Sequence, residues 1–139
     1  MKKRTIALFI IVLIASIFLC GCENQGTQVD DDNKFISNEV KMTDYKIEYL
    51  KDSNGDIGRV TIEGNIENII NENYDLVLIG KYYDAIDNYL GESKFTIRGI
   101  REKGSGEKPN PAYKTSFILN FKDPNADKFD HFIITTEKQ

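Results

Sequence analysis

The chain has 139 residues, with 18 Lys and Arg against 22 Asp and Glu, a net charge of −4 and a single His. Residues 1–21 hold three of the basic residues and none of the acidic ones, so the 118 that follow carry a net charge of −7. That balance argues against a nucleic-acid partner, which needs a Lys/Arg-rich face, and against the body of the protein lying flat on an anionic lipid surface.

The chain opens with Met1-Lys2-Lys3-Arg4, followed by the apolar run Ile6 to Leu19 and then Cys20-Gly21-Cys22. A basic start, a short apolar segment and a small-residue junction make a secretory signal. The 14-residue run has signal length, whereas a spanning helix needs roughly 20 apolar residues. Leu19-Cys20-Gly21-Cys22 resembles a bacterial-type lipobox with Cys22 as the first residue after cleavage. In lipoproteins of this kind that thiol receives a diacylglyceryl group. Cys22 is therefore the expected lipidation site, membrane lipid the expected first partner, and the extracytoplasmic face of a membrane the expected location. The alternative is an uncleaved anchor helix extended to 17 residues by Thr5, Cys20 and Gly21. Both readings export the rest of the chain. Cys20 and Cys22 are the only cysteines, so an exported domain has no disulfide and depends on its core alone.

Residues 22–39 are poor in apolar groups and include Asp30-Asp31-Asp32. Such a stretch buries too little surface to offset its ordering entropy, so it is expected to be a flexible polar tether. Residues 40–139 then make one folded domain of common size.

Within that domain the dominant signal is alternation with a period of two. Tyr45, Ile47 and Tyr49 alternate with polar residues and predict a half-buried strand. Asn54-Gly55 follows, a hairpin signal in which both residues supply positive φ. Val60, Ile62, Gly64 and Ile66 predict the returning strand, and Asn68 to Asn73 a loop. Leu76 to Tyr83 is nearly continuous in apolar residues, as in a central strand. Tyr89 to Gly99 predicts the next strand, and the Gly/Pro-rich stretch Arg101 to Pro111 the longest irregular segment. Phe117, Leu119 and Phe121, then Phe129 to Thr136, predict two more strands, with Ile62, Leu78, Phe117 and Phe132 in the core. Six strands with short turns, and a seventh to complete them, predict an all-β sandwich of about seven strands, without the Cys and Trp of antibody-type domains.

Three segments carry a family resemblance: Ile62-Glu63-Gly64-Asn65-Ile66-Glu67-Asn68, Gly80-Lys81-Tyr82-Tyr83-Asp84, and Asp87-Asn88-Tyr89-Leu90-Gly91. Together they resemble the FxLyD-type immunoglobulin-like domains of bacterial and archaeal lipoproteins. Gly80 stands where that family has Phe, Tyr82 where it has Leu, and Asp87 where Gly is common. The resemblance implies a fold and a location rather than a ligand. Its residues have physical roles of their own. Asn68 is placed to cap the following loop, and Asp84 to accept turn N–H groups. Gly64 leaves room on the core face for a large neighbour such as Tyr82.

Several residues were weighed as sites. Asp52, Asn54, Asp56 and Glu63 fit positions 1, 3, 5 and 12 of a calcium loop, but Ile57 replaces the required Gly and a hairpin explains the turn. No metal is expected there. His131 has no Cys or second His to complete a zinc site or a triad. Asp84, Asp87 and Glu92 crowd one hairpin as paired carboxylates would, although acidic turn residues explain them equally. Gly104-Ser105-Gly106 lacks the Lys-Ser/Thr of a phosphate loop. No catalytic residue and no cofactor is expected. Tyr45, Tyr49, Tyr82, Tyr83 and Tyr89 are candidates for a partner surface. Two functions follow. One is a binding or accessory module contacting an envelope protein or polymer. The other is a small envelope-associated hydrolase or metal-binding enzyme, which requires a pocket gathering Asp84, Asp87, Glu92 and His131.

Overall fold

The alternating runs form seven strands: β1 (Lys34–Ile36), β2 (Val40–Lys51), β3 (Ile57–Asn68), β4 (Tyr74–Tyr83), β5 (Tyr89–Ile100), β6 (Lys114–Phe121) and β7 (His131–Lys138). The structure, a computed structural model, describes residues 32–104 and 110–139. The strands make two sheets, ordered β1-β7-β4-β5 and β2-β3-β6. β3 pairs with β6 and β4 with β7, so the successive strands β3–β4 and β6–β7 both cross between sheets. That crossing is the immunoglobulin-like arrangement, with β1 beside β7 where such a domain carries its last strand.

The period-two pattern places one face of each sheet in the core. Ile62, Leu78 and Phe132 are fully buried and Phe117 is 1% exposed. β4 lies between β5 and β7, and even its outward residues Val77 and Ile79 are buried. Tyr82 stacks on Phe121 across the sandwich, with ring centroids 4.4 Å apart. Its hydroxyl lies 2.6 Å from Ser93 Oγ, and burial pushes the phenol up to about 12.

Glycine makes two close approaches possible. A side chain at Gly64 would meet the Asp44 carbonyl oxygen at 2.6 Å and the Phe117 ring at 2.8 Å. The large neighbour is therefore Phe117, opposite Gly64 on β6, rather than Tyr82 as expected. Tyr82 belongs with Gly80 instead: its hydroxyl and Leu119 occupy the space that a side chain at Gly80 would take. Ser93, which binds that hydroxyl, is the β5 partner of Gly80.

The seventh strand arises inside the segment expected to be a flexible tether over 22–39. β1 pairs in parallel with β7, Lys34 opposite Ile133. The side-chain oxygen of Asn33, which is buried, accepts a hydrogen bond from Phe132 N at 3.0 Å. Phe35 packs against the core. Ser37 Oγ accepts the amides of Glu39 and Val40 at 3.1 and 3.2 Å. The Glu39 carboxylate accepts the hydroxyls of Ser37 and Thr136, both at 3.0 Å. Asn33, Ser37 and Glu39 fasten the described part of this segment, which a composition argument does not detect.

The β2–β3 hairpin also departs from expectation. Gly55 takes φ 89° but Asn54 keeps an ordinary φ. The turn is thus a type I turn closed by a left-handed Gly, with Gly55 N donating to the Asp52 carbonyl at 3.1 Å. Between β5 and β6 the described residues 101–104 and 110–113 contain no strand. Asn110 caps a 3-10 turn over Pro111–Tyr113 by accepting the Ala112 amide at 3.1 Å.

Candidate functional site

Outward-facing residues of the four-stranded sheet gather at the end carrying the β4–β5 hairpin. The hairpin repeats the construction of the β2–β3 turn. Asp84 Oδ1 accepts the amides of Ile86 and Asn88 at 3.0 and 2.9 Å, and Oδ2 accepts the Asn88 side chain at 2.9 Å. These bonds, the Asn88 side chain first, hold the Asp84 carboxyl below its ordinary range. The folded carboxylate is therefore favoured, and its contribution to stability is present at neutral pH and lost as pH falls through the folded pKa.

Where the first hairpin has Gly55, this one has Asp87, at φ 63°. An L-residue there is strained, Asp less than most. The backbone turns the Asp87 side chain toward β7, where Oδ1 lies 3.2 Å from His131 Nε2. Asp130 Oδ2 lies 3.2 Å from the other ring nitrogen, Nδ1. Tyr83 stacks on the imidazole, centroids 5.3 Å apart and planes 9° from parallel, and Tyr89 sits edge-on to Tyr83 at 5.9 Å. A neutral imidazole donates to one of its two carboxylates, an imidazolium to both.

The acidic residues named from the sequence do not converge. Asp84 is held by its own turn, Asp87 reaches His131, and Glu92 lies 3.5 Å from both Lys94 Nζ and the Tyr89 hydroxyl. Asp130 completes the imidazole's surroundings and was not anticipated, although its adjacency to the lone His was the available signal. His131 lies next to Phe132 in sequence, as expected, but its ring faces outward from β7.

The calcium-loop positions separate. Asp52 Oδ1 accepts the amides of Asn54 and Asp56 at 2.8 and 3.1 Å. Glu63 lies within β3 and pairs with Lys46 at 2.9 Å. Among the described residues no group of three or more His, Cys, Asp or Glu is arranged to hold a metal, and no helix is long and apolar enough to cross a membrane. Cys22, the predicted lipidation site, and the apolar run before it lie outside the described residues.

Of the five tyrosines, Tyr82 is buried and Tyr45 packs edge-on against Phe132 at 5.3 Å. Tyr49 and Tyr89 are about half exposed, at 49% and 55%. Within the site Tyr89 is the exposed ring, over a half-buried Tyr83 and a His131 side chain that is 12% exposed. Fold and site together define an immunoglobulin-like β-sandwich with an aromatic and acidic patch at one end. No protein-family profile matches the chain, and no curated protein is significantly similar to it.

The strained turn has a testable consequence. Asp87→Gly removes the left-handed strain and a contact made by a largely exposed carboxylate. Exposed ion pairs contribute little, so the variant should be more stable by about 0.5–1 kcal/mol. A loss of stability on urea denaturation would mean that the His131 contact outweighs the strain.

Proposed function

We propose that the protein is a membrane-anchored extracytoplasmic lipoprotein whose β-sandwich serves as a binding or accessory module at the cell envelope. The Leu19-Cys20-Gly21-Cys22 motif supports the anchor, and the FxLyD-type resemblance fits such a protein. One observation carries the choice of a module over an enzyme. Tyr89 is exposed beside the stacked Tyr83 and His131, and both imidazole nitrogens face carboxylates. A hydrolase or zinc enzyme needs one of those nitrogens free for substrate or metal. A partner-binding face needs a rigid aromatic contact with a polar rim, and Tyr over a stacked pair supplies it.

Two experiments test this reading. Cys22→Ser should move the protein out of the detergent phase, or leave an uncleaved precursor, while Cys20→Ser changes neither. A block of lipidation by Cys20→Ser alone would misplace the cleavage site. For the module, the protein captures an envelope component from solubilised membranes and Tyr89→Ala should weaken that capture. Equal recovery by the two proteins would remove the aromatic patch from the reading.

A further inference from the structure

The described chain begins at the hairpin end of the sandwich. β1 runs parallel to β7, and Lys34 lies opposite Ile133, near the start of β7. The same end carries the hairpin turns 52–56 and 84–88 and the 122–130 connection. Asp32 is ten residues beyond Cys22, a stretch that spans at most about 35 Å. β2 and β3 are each 12 residues long, roughly 40 Å. An anchor at Cys22 therefore keeps the hairpin end within about 35 Å of the bilayer.

Among the described residues four of the seven exposed large hydrophobic residues lie at that end, Tyr49 and Leu50 on the three-stranded sheet and Ile86 and Tyr89 on the β4–β5 hairpin. On the outer face of the three-stranded sheet, Leu50 is paired with Arg59, and the next register position places Lys122 beside Arg59. With Lys51, Asp52 and Gly58 they line an open cleft of about 380 Å³. Among the described residues none of the three cations is in an ion pair. Of the neighbouring carboxylates only Glu48 is paired with a cation. Asp52 accepts two amides of its own turn, Asp123 accepts from Asn125, and Glu48 pairs with Lys46.

Resting on the lipid-anchor reading, we infer that the cleft of Leu50, Lys51, Arg59 and Lys122 docks on the anionic phospholipid headgroups of the membrane that Cys22 tethers. Three unpaired cations beside an exposed Leu complement a phosphate-rich surface with an apolar layer beneath. The net negative charge of the domain argues against this only if charge is averaged over the surface; the cleft itself is lined by three cations and one carboxylate, Asp52. Docking through the three-stranded sheet leaves the Tyr89–Tyr83–His131 patch, on the other sheet, open to a partner.

The test is lysine footprinting by acylation and mass spectrometry. The full chain, isolated from membranes, is incorporated into phosphatidylcholine vesicles with or without phosphatidylglycerol. Labelling of Lys51 and Lys122 should fall at least about threefold in the anionic vesicles, with Lys94 and Lys138 unchanged. High salt or Arg59→Glu should restore it, since the attraction is screened. Equal labelling in both vesicles overturns the inference, as does protection spread over all four lysines. Protection by inorganic phosphate without vesicles overturns it too, in favour of a free-anion site. Flotation with the phosphatidylcholine vesicles reads the anchor separately. A chain that does not float refutes lipidation, while the footprint in anionic vesicles still decides the cleft.

Discussion

Leu78→Ala should destabilise the protein by about 3–5 kcal/mol, near the upper end for Leu truncation. Leu78 is fully buried at the middle of β4, between Phe95 on β5 and Thr136 on β7. Both flanking strands are hydrogen-bonded to β4, so the backbone cannot collapse into the void. A loss of that size is a large part of the 5–15 kcal/mol that typically holds a domain together, and no disulfide among the described residues supplements the core. The melting temperature should fall by roughly 10–30 °C. Ile118→Ala, on the outward face of β6 and 44% exposed, should change stability by less than about 0.5 kcal/mol. Comparable losses in the two variants would mean that the inward and outward faces are wrongly assigned.

Gly64→Ala should be the most damaging single-methyl change in the molecule. The added carbon would lie 2.6 Å from the Asp44 carbonyl oxygen and 2.8 Å from Phe117. The first is backbone on the paired strand β2 and the second a buried ring, so neither yields cheaply. Overpacking of this kind costs about 1–3 kcal/mol and sometimes more. Gly55→Ala is the contrast. Its added carbon meets nothing within 4 Å, and only the left-handed φ opposes it, at roughly 1 kcal/mol. Urea midpoints of the two variants rank the effects. A larger loss at Gly55 would show that conformation, not packing, fixes the glycines.

Much of the fold was legible because alternation is a direct consequence of a sheet with one covered face. Phe117, Leu119 and Phe121 announce β6 without further information, and Leu76 to Tyr83 announces a strand with neighbours on both sides. β1 was not legible. Three residues give no period, and Asn33, Ser37 and Glu39 look like solvated polar groups until their partners on β2 and β7 are known. The roles of Asn68 and Asp84 were readable because both act within a few residues of themselves. Asn68 Oδ1 accepts the Ile70 amide at 3.0 Å, and its Nδ2 donates to the Glu72 carbonyl at 2.9 Å. The partner of Gly64 was not, since it is set by the pairing of β3 with β6, some fifty positions apart. The same limit hid the site. Asp87, Asp130 and His131 meet only because the β4–β5 hairpin folds beside the start of β7. Leu50, Arg59 and Lys122 align only once three strands are in register. Gly80 and Tyr82, read from the sequence as two separate departures from a pattern, pack as one unit, because the Tyr82 phenol lies across Gly80.

The parallel pairing of β1 with β7 also has a mechanical meaning. β1 begins at the hairpin end, beside the start of β7, so the preceding chain joins it there. Tension on that chain therefore loads the hydrogen bonds between β1 and β7 together, in shear. Had β1 run antiparallel to β7, the chain would leave from the opposite end, and the same pull would have to fold back across the sandwich and peel the strand away one bond at a time.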